Sequence, residues 1–141
     1  MKKDDNPGSR PHILVVEDEF IIRMMLSENL QASGYKVTEA RDADEALSVL
    51  ALSIPDLVIS DVRMPGSIDG IGLLLAIKHI YLKLPVIITS AHFKSIEAIK
   101  AGANGFVTKP YEFASMLMAV RKELTTALTP ALGRLKGGCL I

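Results

Sequence analysis

Five short apolar runs divide the chain, and each is followed by a stretch where apolar residues return at helical spacing. The runs are Ile13-Leu14-Val15-Val16, Tyr35 to Glu39 around Val37, Leu57-Val58-Ile59-Ser60, Val86-Ile87-Ile88-Thr89 and Gly105-Phe106-Val107-Thr108. Continuous β-branched runs of this length predict strands buried on both faces, whereas the second run alternates and predicts an edge strand. Helical spacing covers Phe20 to Ala32, with Ile22, Leu26 and Leu30 inward and Ser33-Gly34 as a stop. It returns from the cap Asp42 through Leu52, with Ala43, Ala46, Leu47 and Leu50 on one face. The third helix, Ile71 to Ile80, follows Asp69-Gly70; a short fourth, Phe93 to Ala101, stops at Gly102; the fifth, Glu112 to Leu128, turns Phe113, Leu117, Val120 and Leu124 inward. Leu73, Leu74 and Leu75 cannot all face one core, so a wide buried face or a single exposed leucine is expected, with a partner surface as the alternative.

Strands alternating with helices predict an α/β fold, a five-stranded parallel sheet wound on both faces. Ligands of such sheets sit at the carboxyl ends of the strands. The residues closing the first, third, fourth and fifth runs are Glu17-Asp18, Asp61, Ser90 and Lys109, so all are placed on that edge.

With 141 residues there is room for one ordinary domain, placed at 11–128 between a disordered polar leader, 1–10, and a flexible tail, 129–141. The leader lacks the apolar core of a signal peptide, and no apolar run has the length of a membrane span. Sixteen basic and sixteen acidic residues cancel, which argues against nucleic acid or an anionic membrane as partner. The lone Cys139 excludes an intrachain disulfide and fits a reducing compartment, so a cytoplasmic protein is expected. The tail carries Pro130, Arg134 and Lys136 and reads as a frayed terminus, or alternatively as a tether.

If the first and third strands are neighbours, Glu17, Asp18 and Asp61 converge within one or two strand spacings of about 4.8 Å. Three like charges so close need compensation. Lys109 brings one positive charge and a divalent cation would complete neutrality. With carboxylates and no nearby His or Cys, the metal expected is hard, Mg²⁺ rather than Ca²⁺ where few protein ligands leave room for water. A metal, a lysine and a hydroxyl around a carboxylate can receive a phosphoryl group, with Asp61 as covalent nucleophile, Lys109 on the phosphoryl oxygens and Ser90 donating a hydrogen bond. A salt-bridged sheet edge, with Lys109 neutralising Asp61 for stability alone, is the structural alternative.

Four blocks in order resemble the receiver domain of bacterial two-component response regulators: Ile13 through Glu19, Ser60-Asp61-Val62-Arg63-Met64-Pro65-Gly66, Thr89-Ser90-Ala91, and Ala101-Gly102-Ala103 through Phe106-Val107-Thr108-Lys109-Pro110. The resemblance spans Pro11 to Leu128 and implies a flavodoxin-like strand order, 2-1-3-4-5. It further implies that Asp61 accepts phosphate from a histidine kinase or histidine phosphotransfer protein. Glu17, Asp18, Asp61 and the Arg63 carbonyl would then hold Mg²⁺. Ser90 and Phe106 would act as the switch pair, read on the surface of helix four, strand five and helix five. A cis peptide is implied at Lys109-Pro110. Arg63 and His92 match positions that tune dephosphorylation, although His92 fits equally well as a solvated loop histidine.

Two departures stand out. Between Pro65 and Asp69-Gly70 there is one residue more than usual, Ser67 or Ile68, and the Ser90 to Phe106 segment is shorter by about one helical turn. A stunted or irregular fourth helix is therefore expected. The resulting reading is a stand-alone receiver, monomeric or dimerising on phosphorylation, that docks to a downstream protein or passes phosphate on without itself being a multiple-turnover enzyme. A non-phosphorylated scaffold of the same shape is one alternative. A Mg²⁺-dependent phosphohydrolase is another, disfavoured because Arg63 stands where such enzymes commonly carry a second acid.

Overall fold

A computed structural model describes residues 10–91 and 95–128. Five strands, β1 (His12–Val16), β2 (Lys36–Ala40), β3 (Leu57–Asp61), β4 (Val86–Ser90) and β5 (Gly105–Thr108), alternate with five helices, α1 (Phe20–Ala32), α2 (Ala43–Leu52), α3 (Gly70–Ile80), α4 (Ser95–Lys100) and α5 (Phe113–Leu128). All strand pairings are parallel, in the order β2-β1-β3-β4-β5, so the expected fold is the observed one. Among the described residues the fourth helix takes in six, Ser95–Lys100. Its expected start at Phe93 lies outside the described residues, together with His92, most of the leader (1–9) and the tail (129–141) with Cys139.

The two-residue period of each strand sorts its side chains into two cores. Leu14, Val16, Val58, Val86 and Ile88 face α2, α3 and α4, meeting Ala46, Leu50, Leu73, Leu74, Ile77 and Ala98. Ile13, Val15, Leu57, Ile59 and Ile87 face α1 and α5, meeting Leu26, Leu30, Met116, Val120 and Leu124. Such double burial is why the central strands read as continuous apolar runs. Of the three consecutive leucines, Leu73 and Leu74 are buried and Leu75 is 53% exposed, the single exposed leucine expected. Met116, not singled out by its spacing, is fully buried on the inner face of α5.

Local chemistry sets the boundaries. Asp42 caps α2 by accepting from the Glu45 amide at 2.8 Å, and Asp69 caps α3 by accepting from the Gly72 amide at 2.9 Å. β3 and β4 each run one residue beyond the apolar stretch, taking in Asp61 and Ser90, because the ladder continues: Asp61 pairs with Thr89 and Ser90 with Thr108. At the opposite edge of the sheet one side chain organises three segments. Asn104 Oδ1 accepts from the Val86 amide at 2.9 Å and from Lys78 Nζ at 2.6 Å, while Lys78 Nζ also donates to the Leu84 carbonyl at 2.7 Å. The Asn104 amide returns a bond to the Val86 carbonyl at 2.8 Å. Gly102, at φ +103°, lies where a side chain would press on Lys78 Cγ at 3.2 Å, so the turn ahead of β5 needs glycine twice over.

Candidate functional site

Ladder hydrogen bonds carry the chain past the strand ends and hold the polar residues in place. The Glu17 amide donates to the Ala40 carbonyl at 3.0 Å, the Val62 amide to Thr89 at 3.0 Å and the Lys109 amide to Ser90 at 2.8 Å. Val16 pairs with Ser60, so Glu17 and Asp61 follow side by side on adjacent strands. Lys109 reaches across from the end of β5 and bridges them, with Nζ 2.6 Å from Glu17 Oε1 and 3.1 Å from Asp61 Oδ2. Glu17 Oε2 accepts from the Glu19 amide at 3.2 Å, and the Arg63 amide points at Asp61 Oδ1 at 3.4 Å.

Burial governs the electrostatics. Glu17 is 3% and Asp61 7% exposed. Desolvation pushes the Glu17 carboxyl up to about 7 despite the opposing bond from Lys109, and the Asp61 charge pushes the same way. For Lys109, burial alone would favour the neutral amine, but its bonds to Glu17 and Asp61 outweigh it and raise its pKa, so the ammonium persists. Burial also raises the Tyr111 phenol.

Glu17, Asp18 and Asp61 each offer an oxygen, and these atoms lie within 4.8 Å of one another. An all-oxygen donor set with one solvent-facing member, Asp18, suits a hard divalent cation that retains several waters, so the residues fit Mg²⁺. Beside it opens a cleft of about 490 Å³ lined by Asp18, Val62, Arg63, Met64, Pro65 and Asp69. Ser90 is buried, one position beyond the Thr89 that pairs with Asp61. Phe106 pairs with Ile88 and is half-buried against the core beneath α2, α3 and α4. Arg63 is exposed at the cleft. The peptide between Lys109 and Pro110 is cis.

Three contributors escaped the reading of motifs. A Cβ on Gly70 would lie 1.9 Å from the Asp61 carbonyl oxygen, so only glycine lets α3 begin directly above the end of β3; the Asp-Gly pair signalled a helix start but not this approach. Ser67, in the lengthened loop, donates to Asp44 Oδ1 at 2.8 Å and ties that loop to the first turn of α2. Arg23 donates from a terminal guanidinium nitrogen to the Glu17 carbonyl at 2.7 Å and from Nε to Glu39 at 3.1 Å. Its helical position gave no sign of either bond.

Comparison with known proteins accords with this geometry. The family model of the response regulator receiver domain matches residues 13–121. FleR, a response regulator protein of Pseudomonas aeruginosa, is 38% identical over 128 residues, covering 89% of this chain and 25% of FleR. NtrC, a DNA-binding transcriptional regulator of Salmonella typhimurium, is 34% identical over 116 residues, covering 80% of this chain and 24% of NtrC. The chain thus spans about a quarter of the length of these curated relatives. The receiver domain of NtrX from Brucella abortus superposes with a TM-score of 0.78 at 35% identity, covering 81% of this chain and 98% of that one. A CheY-like receiver from Methanospirillum hungatei shares the fold with a TM-score of 0.82 at 23% identity, over 86% and 99% of the two chains. Among the described residues no helix is long and apolar enough to cross a membrane. A parallel sheet in the order 2-1-3-4-5, an acid cluster bridged by lysine and a family match over most of its length together establish that the chain belongs to the response regulator receiver domain family.

Proposed function

We propose that the chain is a phosphoacceptor receiver of a two-component phosphorelay. The observation that carries this reading is the Asp61 carboxylate, held at the end of β3 with Lys109 Nζ 3.1 Å away and two further acids around it. An Asp61 oxygen attacks phosphorus on a phosphohistidine of a histidine kinase or phosphotransfer protein; the P–N bond breaks, a P–O bond forms and the imidazole leaves with the electron pair. Glu17, Asp18, Asp61 and the Arg63 carbonyl would hold Mg²⁺, which when bound would neutralise charge on the phosphoryl oxygens. Lys109 turns from Glu17 and Asp61 toward those oxygens, and the Ser90 hydroxyl donates to one of them. Phe106 follows Ser90 inward, and the α4–β5–α5 surface changes as a two-state element.

The output is docking to a downstream protein or onward transfer of phosphate, as monomer or phosphorylation-dependent dimer. It needs no contact between the receiver and nucleic acid, the chain's formal net charge being zero. A cytoplasmic location is part of this proposal, as is turnover limited to its own phosphorylation and dephosphorylation. Arg63 at the cleft mouth would tune the lifetime of the phosphoryl group; the companion residue His92 lies outside the described residues. The test is intact mass after incubation with an acyl phosphate and Mg²⁺. One added phosphoryl group, lost in Asp61→Asn and with chelator, is expected. No gain in a folded, Mg²⁺-binding protein would overturn the reading in favour of an unphosphorylated scaffold.

A further inference from the structure

Asp18 is the one member of the acid cluster that burial does not hold, since its side chain faces solvent. Its placement therefore depends on the peptide plane from which it leaves the backbone, the rigid unit joining Glu17 to Asp18. That plane is gripped from outside the turn. Arg23 donates to the Glu17 carbonyl at 2.7 Å, and the Arg23 guanidinium is itself fixed by Glu39 Oε1 on β2 at 3.1 Å and by the Phe20 ring, whose centroid lies 5.6 Å from Cζ. The other end of the same turn is also tethered, because the Arg23 amide donates to the Glu19 carbonyl at 2.9 Å as α1 begins. Glu39 belongs to an edge strand and Phe20 is 61% exposed; neither is required by the core, yet both converge on this guanidinium.

We propose that Arg23 is a positioning residue for the cation site, clamping the Glu17–Asp18 peptide so that the exposed Asp18 carboxylate is held beside the buried pair. The inference rests on the functional reading above and adds to it a residue that touches neither cation nor phosphoryl group. Groups that orient ligands from behind typically govern metal affinity by about 10- to 100-fold, and a clamp on one carboxylate of three belongs at the lower end of that range.

Electrostatics and positioning predict opposite signs here, which makes the test sharp. Arg23 carries positive charge toward an acid cluster, so if charge were all that mattered, Arg23→Gln would bind Mg²⁺ more tightly. A lost clamp weakens binding instead. The measurement is calorimetric titration of the whole chain with Mg²⁺, with thermal unfolding recorded for each variant to establish that it is folded. Arg23→Gln is expected to raise the Mg²⁺ dissociation constant about 10-fold. Glu39→Gln, which frees the guanidinium without touching the turn, is expected to raise it by about 2- to 3-fold, and Arg23→Lys, which keeps charge but cannot make both bonds, should resemble Arg23→Gln. Unchanged or tighter binding in folded Arg23→Gln or Arg23→Lys would overturn the inference while leaving the functional reading standing. Wild-type chain that binds no Mg²⁺ would overturn both.

Discussion

Gly70→Ala probes the join between the fold and the site. The added methyl would sit 1.9 Å from the Asp61 carbonyl oxygen and 2.7 Å from Val62 Cα, and both are backbone atoms with no rotamer to turn away. To reach an ordinary contact, 3.4 Å, the helix start and the end of β3 must part by about 1.5 Å. That separation also lengthens the bond from the Gly70 amide to the Val62 carbonyl, now 2.8 Å. Overpacking costs about 1–3 kcal/mol and the weakened hydrogen bond about 1, while alanine returns about 1 through helix propensity, leaving a net loss of about 1–3 kcal/mol. In urea this lowers the midpoint by roughly 0.5–2 M at the slopes usual for small domains. Because the atom struck is the backbone carbonyl oxygen of Asp61, the residue whose carboxylate is the proposed nucleophile, the initial rate of phosphorylation by an acyl phosphate should fall as well, measured where the variant is still folded. A variant within about 0.5 kcal/mol of wild type would refute the argument, showing that α3 can lift without cost.

Three further outcomes follow from the same geometry. The Glu17 carboxyl, raised from 4.5 to about 7, keeps in the folded state a proton that the unfolded chain releases, so in chelator stability should fall as pH rises from about 4.5 to 7. Glu17→Gln removes that slope, and the variant should gain on wild type by up to about 3 kcal/mol at pH 8 and almost nothing at pH 4.5, read from urea unfolding at each pH. Lys109→Met leaves two buried carboxylates without their shared countercharge and should cost about 3 kcal/mol at pH 7.5, with much of the loss recovered at pH 5; equal losses at both would contradict the ion-pair account. Asp42→Ala removes the cap on α2 and should cost about 1 kcal/mol by chemical denaturation with no change in phosphorylation rate.

What could be read from residue order was whatever leaves a periodic trace. β1, β3 and β4 are buried on both faces, so their apolar runs were plain, and the residues closing them fell on one edge of the sheet as the topology requires. A helix cap was legible where an aspartate precedes an apolar repeat, as at Asp42, and the Asp69-Gly70 pair marked the start of α3 without its cap being named. Contacts between segments distant in sequence were not. Nothing about Arg23, on the first turns of α1, announces a bond to the Glu17 backbone and another to β2, and a glycine beginning α3 looks like a weak helix residue until the carbonyl beneath it is seen. Leu75 lies between these cases: the helix rotation, some 100° per residue, implied that one of the three leucines turns outward, but residue order did not say which.

The Asn104 junction gives the sheet a bound spine opposite the edge that carries the acid cluster. At the end away from the acid cluster, Lys78, Leu84, Val86 and Asn104 share four hydrogen bonds between α3, β4 and the approach to β5, and no functional group lies among them. In the proposed switch, motion of Ser90 or Phe106 would turn on that spine, opening or closing the pages at the carboxyl edge while the stitching stays whole. Amide exchange should record the division, with Val86 and Asn104 equally protected before and after phosphorylation and the change confined to the far ends of the same two strands.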